Sequence, residues 1–347
     1  MRALFLGLGG AGQRHLRNLK RLEPDVKVAA VRVRGRRFEI GDALTADPSS
    51  DIVAKYGISE LPDLAAGIAW RPDFAVVASP SAVHLAQCGP LVEAGVGVLV
   101  EKPLGTDEGE LHRFYALAER QRVPVAVGYS LRYHPCVQLL KAWSERGIVG
   151  APQSLEVLVN SHMPSWHGYE RPGDFYAGRR ALGGGVVLTE IHEIDLLCWL
   201  FGPVSRVAAF GGTLGGYDID VEDTVGIVAS LTSGVPVTMS LSFVQRPPMR
   251  RFTVNGRDGR VVMDIPRLHI AAEDVSGAAV ENVDVPEFDR NTLFVEELRD
   301  FLTWIHDGIR SPSLATLESI EPGQAVALAV REALASGAVV DVPYRAP

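Results

Sequence analysis

Gly7-Leu8-Gly9-Gly10-Ala11-Gly12 stands between an apolar run that opens at Ala3 and a helical pattern carried by Leu16, Leu19 and Leu22. A short apolar run ending in glycines reads as a buried strand, a tight turn and an immediate helix. The spacing satisfies GxGxxG. Glycines there let the backbone approach a pyrophosphate, and the free N–H groups of the first helical turn favour an anion. A glycine-rich turn alone can be only a turn; strand before and helix after make it a dinucleotide site. An NAD site usually places Asp or Glu about twenty residues further on, at the end of the second strand. Here that end reads Val31-Arg32-Val33-Arg34-Gly35-Arg36-Arg37, with no acid. Guanidinium groups match a 2′-phosphate bidentately, so NADP is expected in preference to NAD, with Arg32 and Arg34 as the main contacts. The plain alternative is a solvated basic loop.

Apolar segments keep alternating with helical ones. Val26–Val33, Phe74–Ala78, Val96–Val100 and Val123–Val127 read as strands, with helical stretches at Ala82–Glu93 and Asp107–Gln121. Continuously apolar strands separated by helices specify a doubly wound α/β domain whose parallel sheet is covered on both faces. The pattern stops near Gly128. Beyond it lie one apolar helix, Val186–Phe201, and strand-like segments from Ser205 to Asp264. Turns such as Thr232-Ser233-Gly234 and Asn255-Gly256 separate them, and two helices near Thr292–His306 and Pro322–Ala335 close the chain. Regular turn spacing predicts an antiparallel sheet. A length of 347 residues exceeds what one core serves. The expected division is 1–126, nucleotide-binding, and 127–347, an α+β domain.

Composition narrows the function. With 34 basic and 42 acidic residues the net charge is −8, which argues against a nucleic-acid partner. Cys88, Cys136 and Cys198 stand far apart with no CxxC, so neither a disulfide framework nor a metal site is expected. No apolar run is long enough to span a bilayer, and the N-terminal one runs into glycines instead of a signal-peptide cleavage site. A cytoplasmic enzyme without a membrane partner is the expected setting. Among 34 basic residues only five are lysines. One of them, in Glu101-Lys102-Pro103, follows the strand Val96–Val100, and ligands of open α/β sheets bind at the carboxyl ends of strands. Burial can tune a lysine to share a proton, whereas arginine stays charged. A snorkelling lysine at a strand end fits the spacing equally well. Pro103 can carry a cis peptide that aims the lysine inward.

Several segments together resemble the Gfo/Idh/MocA oxidoreductases. They are the opening GLGGAGQRHLRNL, Ser79-Pro80-Ser81-Ala82-Val83-His84, Glu101-Lys102-Pro103 and the segment from Gly128 to Pro135. Gly183-Gly184-Gly185 followed by His192-Glu193-Ile194-Asp195, and Glu222-Asp223-Thr224, complete the match. The resemblance implies a Rossmann domain joined to a domain with a large, mostly antiparallel sheet. It implies NAD(P)-dependent hydride transfer on a sugar, polyol or sugar derivative, and a homodimer or homotetramer pairing through that sheet. The catalytic lysine maps onto Lys102 and the catalytic histidine onto His192. Around the cofactor it implies Gly7, Gly9, Gly10, Ala11, Gly12, Ser79, Pro80, His84, Glu101 and Lys102, joined by Arg32 and Arg34. For His84 a helix-capping role is the alternative. Tyr129, Arg132, Trp166, Tyr176, Thr189 and His192 are expected along the substrate cleft; for the aromatics ordinary loop packing is the alternative. Two further readings stay open: a redox-neutral NAD-dependent glycosidase and a non-catalytic cofactor-binding regulator.

The chain departs from the family at one place. Many relatives carry an Asp three or four residues before the histidine, where this chain has Thr189 and Leu188. In a regular helix Thr189, His192 and Asp195 share one stripe and Glu190 lies off it. A regular helix is therefore expected to leave proton transfer to His192, with Asp195 either orienting the imidazole or serving as a buried structural carboxylate. Only a broken helix would bring Glu190 into that role.

Overall fold

The structure, a computed structural model, describes all residues except 34, 42–44, 167–169 and 345–347. The expected cofactor contact of Arg34 lies outside the described residues. From the N-terminus run β1 (Arg2–Leu6), α1 (Gly10–Leu22), β2 (Lys27–Val31), a small hairpin of β3 (Phe38–Ile40) and β4 (Ala46–Asp51), α2 (Ile52–Tyr56), β5 (Ser59–Leu61) and α3 (Leu64–Ala69). Then come β6 (Phe74–Val77), α4 (His84–Glu93), β7 (Gly97–Val100), α5 (Glu108–Gln121) and β8 (Val125–Val127). Six parallel strands stand in the order β5-β2-β1-β6-β7-β8. All residues of β6 and β7 are buried, as strands covered on both faces must be. The strand order reverses between β1 and β6. The carboxyl ends of β1, β6 and β7 therefore bring the glycine turn, Ser79 and Lys102 to one crevice.

The second half begins with α6 (Pro135–Glu145) and β9 (Pro152–His162), followed by two short helices, α7 (Val186–Thr189) and α8 (Ile191–Phe201). Then come β10 (Val204–Gly212), β11 (Thr224–Leu231), β12 (Pro236–Ser242), β13 (Val244–Gly256), β14 (Gly259–Asp264), β15 (His269–Asp274) and β16 (Ala279–Asp284). α9 (Asn291–Asp307), α10 (Leu317–Ser336) and β17 (Val340–Asp341) end the chain. The sheet order is β16-β15-β14-β13-β9-β12-β11-β10-β17, and every pairing is antiparallel except that of β9 with β12. α10 lies so close to α8 that a Cβ at Gly323 would come within 3.0 Å of the Asp195 backbone.

One helix crosses the expected boundary. Leu298, Phe301 and Leu302 of α9 are buried in the same core as β1 and α1. The Phe301 ring meets Phe74 edge-on at 5.7 Å, and Asn291 and Asn18 exchange amide hydrogen bonds of 2.7 and 3.1 Å. Just after α9, the Ala315 carbonyl accepts from the Val127 N–H at 2.9 Å, beside a bridge between Ala126 and Thr316. The C-terminal part thus covers one side of the parallel sheet. Among the described residues no helix is long and apolar enough to cross a membrane.

The glycine turn separates two kinds of glycine. A Cβ on Gly12 would sit 2.3 Å from the Gly7 carbonyl oxygen, whereas one on Gly9 meets nothing within 4 Å. Gly12→Ala is expected to lose about 2 kcal/mol or more through overpacking against backbone, measured by urea unfolding. Gly9→Ala is expected to keep nearly full stability but to weaken dinucleotide binding, because its place in the motif serves backbone approach to the ligand. Equal stability loss in both variants would contradict this division.

Candidate active site

The crevice begins with a backbone cradle. Gly7 has φ +92°, a conformation that L side chains rarely adopt, and a Cβ there would lie 2.7 Å from the Ala78 carbonyl oxygen. Gly9 caps α1 without a side chain, Gly10 and Ala11 open its first turn, and that turn carries no acid. Its N–H groups and the positive end of its dipole suit a pyrophosphate. The loop after β6 borders the cradle: the Ser79 hydroxyl donates to Gln87 at 2.7 Å, and Pro80 precedes a short turn at Ser81–Val83.

Two of the expected cofactor residues brace the surrounding loops. The buried His84 ring places Nδ1 2.8 Å from the Pro103 carbonyl and Nε2 2.9 Å from the Ser79 carbonyl. Each ring nitrogen thus faces a backbone carbonyl, one of which accepts from the N–H of the neutral ring, and His84 packs between the β6 and β7 loops. Burial pushes its pKa down. Arg32, whose side chain is 6% exposed, pairs with Glu60 at 2.9 Å and donates to the Arg36 carbonyl at 3.2 Å. It braces its own loop because Glu60, on the neighbouring β5, meets it first. Arg36 pairs with Glu170 at 2.5 Å, and Arg37 with Asp51 at 3.1 Å and Glu60 at 2.6 Å. Glu101 faces His15 of α1 at 3.0 Å. Burial opposes its charge, but the His15 hydrogen bond and the nearby Lys102 outweigh burial and hold its pKa below the usual range.

The helix expected over Val186–Phe201 is interrupted, which corrects the single-stripe expectation. Glu190 has φ −93° and ψ 28° and separates α7 from α8. The Glu193 N–H, which a continuous helix would direct to the Thr189 carbonyl, turns to the Glu190 carbonyl at 3.4 Å. The Thr189 carbonyl accepts instead from Lys102 Nζ at 2.5 Å. The peptide between Lys102 and Pro103 is cis. Two conditions let these loops meet. Gly183, at φ +81°, passes so close to the β6 loop that a Cβ would lie 2.9 Å from the Ala82 nitrogen, and the Val186 N–H donates to the Glu222 carbonyl at 2.9 Å. The break itself is held from outside: Arg250 of β13 pairs with Glu190 at 2.6 Å and with Glu193 at 2.7 Å.

His192 lies between those two acids. Its Nδ1 and the Thr189 hydroxyl are buried and have no hydrogen-bond partner among the described residues. Burial, and then the charges of Lys102, Arg250 and Arg290, hold the imidazole pKa well below its ordinary value, so the ring is neutral at physiological pH. Burial raises the Glu193 carboxyl to about 7 against the opposing pull of Arg250. The Tyr129 ring stands edge-on behind His192, with centroids 5.7 Å apart.

Asp195 and Arg132 do not reach the cleft, contrary to expectation. They form a fully buried bidentate pair, with Arg132 Nε 2.8 Å and Nη2 2.6 Å from the two carboxylate oxygens. One α-helical turn carries Asp195 past His192 toward α10, where Arg132 also donates to the Ser319 hydroxyl at 3.0 Å. That pairing fits the structural-carboxylate alternative for Asp195. Trp166 packs edge-on against Phe243 at 4.9 Å and beside Phe175 at 6.0 Å, and Tyr176 is half-buried against the main core. Sequence reasoning missed His15, Glu193 and Arg250. The available signal was two acids flanking a histidine in an otherwise apolar helix, since buried carboxylates require a cation.

Comparison with known proteins identifies the family. Residues 1–129 match the model of an oxidoreductase family with an NAD-binding Rossmann fold, and residues 137–262 match the GFO/IDH/MocA C-terminal domain. A UDP-N-acetylglucosamine 3-dehydrogenase of Acidithiobacillus ferrooxidans is 27% identical over 88% of this chain and 88% of its own length. A myo-inositol dehydrogenase of Streptomyces leeuwenhoekii is 28% identical over 78% of this chain and 81% of its own. The WlbA dehydrogenase of Bordetella pertussis, solved with NADH and UDP-GlcNAcA, shares the fold with TM-score 0.79 at 20% identity, covering 99% of each chain.

Breaking a buried ion pair leaves the partner charged and unpaired, at a cost of about 3 kcal/mol or more. Asp195→Asn is therefore expected to lower unfolding free energy by about that amount while turnover per folded molecule changes little. Denaturant unfolding beside active-site titration tests this; a large turnover loss at unchanged stability would return Asp195 to the chemistry.

Proposed function

The chain belongs to the Gfo/Idh/MocA oxidoreductases, with their NAD-binding Rossmann fold, and on that premise we propose that it moves hydride between nicotinamide and a hydroxyl-bearing carbon of a sugar, polyol or sugar derivative. The observation that carries this reading is the Lys102 ammonium on the Thr189 carbonyl, beside the neutral ring of His192 and across from the glycine cradle. The activities printed for the relatives, on a nucleotide sugar and on an inositol, support the substrate class. Bound in the cradle, the nicotinamide would supply the hydride acceptor. The chain's own residues handle the proton and the oxygen. Neutral His192 accepts the hydroxyl proton, as a base must be unprotonated to act. Lys102 donates to the same oxygen and stabilises its developing negative charge. Thr189 offers a hydroxyl for orientation where relatives carry an acid, and cannot replace one as a base. Glu190 and Arg250 fix the helix break and so act as positioning residues.

Lys102→Ala is expected to reduce turnover about a hundredfold or more with little change in dinucleotide affinity. Lys102→Arg should also be poor, since arginine does not give up its proton. Parallel steady-state assays on sugars and polyols, with dinucleotide titrations, test both; near-normal turnover in the arginine variant would leave charge alone as the requirement.

For the cofactor's 2′-position the proposal is the phosphorylated form. Arg36 and Arg37 are part-exposed and face acids from other segments. Exposed ion pairs are worth about 1 kcal/mol or less, so a phosphate dianion can displace them. NADPH is expected to bind roughly tenfold tighter than NADH, and Arg37→Ala to narrow that ratio. Equal dissociation constants would leave only the NAD site. The same proposal includes a cytoplasmic homo-oligomer paired through the open face of the large sheet, where Phe210 and Val228 are exposed.

A further inference from the structure

The arginines that follow β2 are unequal in what holds them. Arg37 pairs with Asp51 and Glu60, whose side chains are 41% and 38% exposed. Arg36 pairs with Glu170, whose side chain is only 12% exposed. The Arg36 guanidinium also lies over the Phe38 ring, 5.9 Å from its centroid. Water and salt screen a half-buried carboxylate less than exposed ones, so it holds its cation more firmly. Asp51 and Glu60 belong to the nucleotide-binding half. Glu170 comes from the second half, between β9 and α7, and reaches Arg36 across 134 residues of sequence.

Both sides of this contact are anchored. The Val31 carbonyl, at the end of β2, accepts from the Gly7 N–H at 3.2 Å. Beyond it, Arg32 donates to the Arg36 carbonyl at 3.2 Å. The side-chain amide of the buried Gln13, in α1, donates to the Leu8 carbonyl and to the Phe38 carbonyl, each at 3.2 Å. The backbone around Arg36 is thus tied to the glycine turn on both sides. In this fold that is the place of an acid for the ribose or of an arginine for the 2′-phosphate. Across the crevice, Glu170 precedes a short turn at Pro172–Asp174. There the Gly173 carbonyl accepts from Arg179 Nε at 2.5 Å, and a Cβ on Gly173 would lie 2.3 Å from the Asp218 carbonyl oxygen. Backbone of the second domain therefore fixes the stretch after Glu170.

We propose that Glu170 is a specificity-determining residue of the cofactor site: from the second domain it holds Arg36, and so limits the preference for a 2′-phosphate. This rests on the cofactor reading above and names what sets the size of that preference. A ribose hydroxyl is neutral and does not draw a guanidinium off a carboxylate, so NADH binds with the pair intact. A 2′-phosphate competes for the same cation. The Arg36 nitrogen on Glu170 is Nη2, which serves both bidentate edges of a guanidinium; while Glu170 holds it, a phosphate has at most one edge left. What the dianion gains from Arg36 it largely takes from Glu170, so Arg36 adds little net selectivity. Arg37, with its exposed partners, is the arginine that yields. Glu170 acts through Arg36 and is a positioning residue, not a contact of the cofactor.

Calorimetric titration of the protein with NADH and with NADPH, in the unmodified chain, Glu170→Gln, Arg36→Gln and the double variant, tests the proposal. Glu170→Gln is expected to tighten NADPH about fivefold or more while NADH changes by less than about twofold. The ratio of the two dissociation constants in the double variant should stay within about twofold of that in Arg36→Gln alone. An unchanged ratio in Glu170→Gln overturns the proposal. So does an equal change in both affinities, which would make the pair a general tie between domains. A rise that persists without Arg36 also overturns it, because Glu170 would then repel the phosphate directly. Equal dissociation constants in the unmodified protein, with the rise present in Glu170→Gln, would sink the preference for the phosphorylated cofactor and leave Glu170 as the residue that cancels it.

Discussion

A backbone carbonyl that a continuous helix would consume is the atom on which this site is built. In a regular helix the Thr189 carbonyl accepts from the N–H four residues on. The break at Glu190 diverts that N–H and frees the carbonyl for Lys102, which arrives from the carboxyl end of a strand in the other domain. That hydrogen bond ties the loop after β7 to α7. Around it the other contacts fall into place: Gly183 lets the loops approach, Arg250 holds the acids on either side of His192, and His84 packs between the two loops that border the lysine.

The cost of that arrangement is borne by polar groups out of water. Arg132 with Asp195, and Arg250 with Glu190 and Glu193, are buried or nearly so. Such pairs contribute little net stability against apolar packing but are costly to disturb singly. They specify geometry. The first pair locks α8 against α10 and the start of the second domain; the second sets where the helix stops. Both bear on where His192 lies.

What was legible in the sequence follows from range. The parallel sheet was readable because β6 and β7, buried on both faces, are unbroken apolar runs, and the glycine turn announces itself by local conformational need. The large second sheet was readable from its turns. The helix break was not, because every residue from Val186 to Leu188 is buried as well as the apolar positions beyond, so no change of periodicity marks it. Its cause, Arg250, is sixty residues away in sequence. Glu60 escaped notice for the same reason: it meets Arg32 across a strand pair, and only the pairing of β2 with β5 brings it there. Lys102 stood out by its place at a strand end and His192 by motif resemblance, whereas the pairing of Asp195 with Arg132 was not legible because residue type does not say which side of a helix faces the cleft.

The crossing of α9 onto the parallel sheet has a consequence for modularity. The nucleotide-binding half is not a cassette that ends where its last strand ends, since four apolar residues of its core, Leu298, Phe301, Leu302 and Leu314, are encoded near the C-terminus, Phe301 among them covering Phe74. The polypeptide is stitched rather than concatenated. Recombination that exchanged only the region after Val127 would strip one domain while replacing the other, so lineages of this architecture must trade substrate domains with α9 retained or rebuilt. The same stitch gives the interdomain crevice three chain crossings in place of one hinge, since α10 and β17 return to the large sheet.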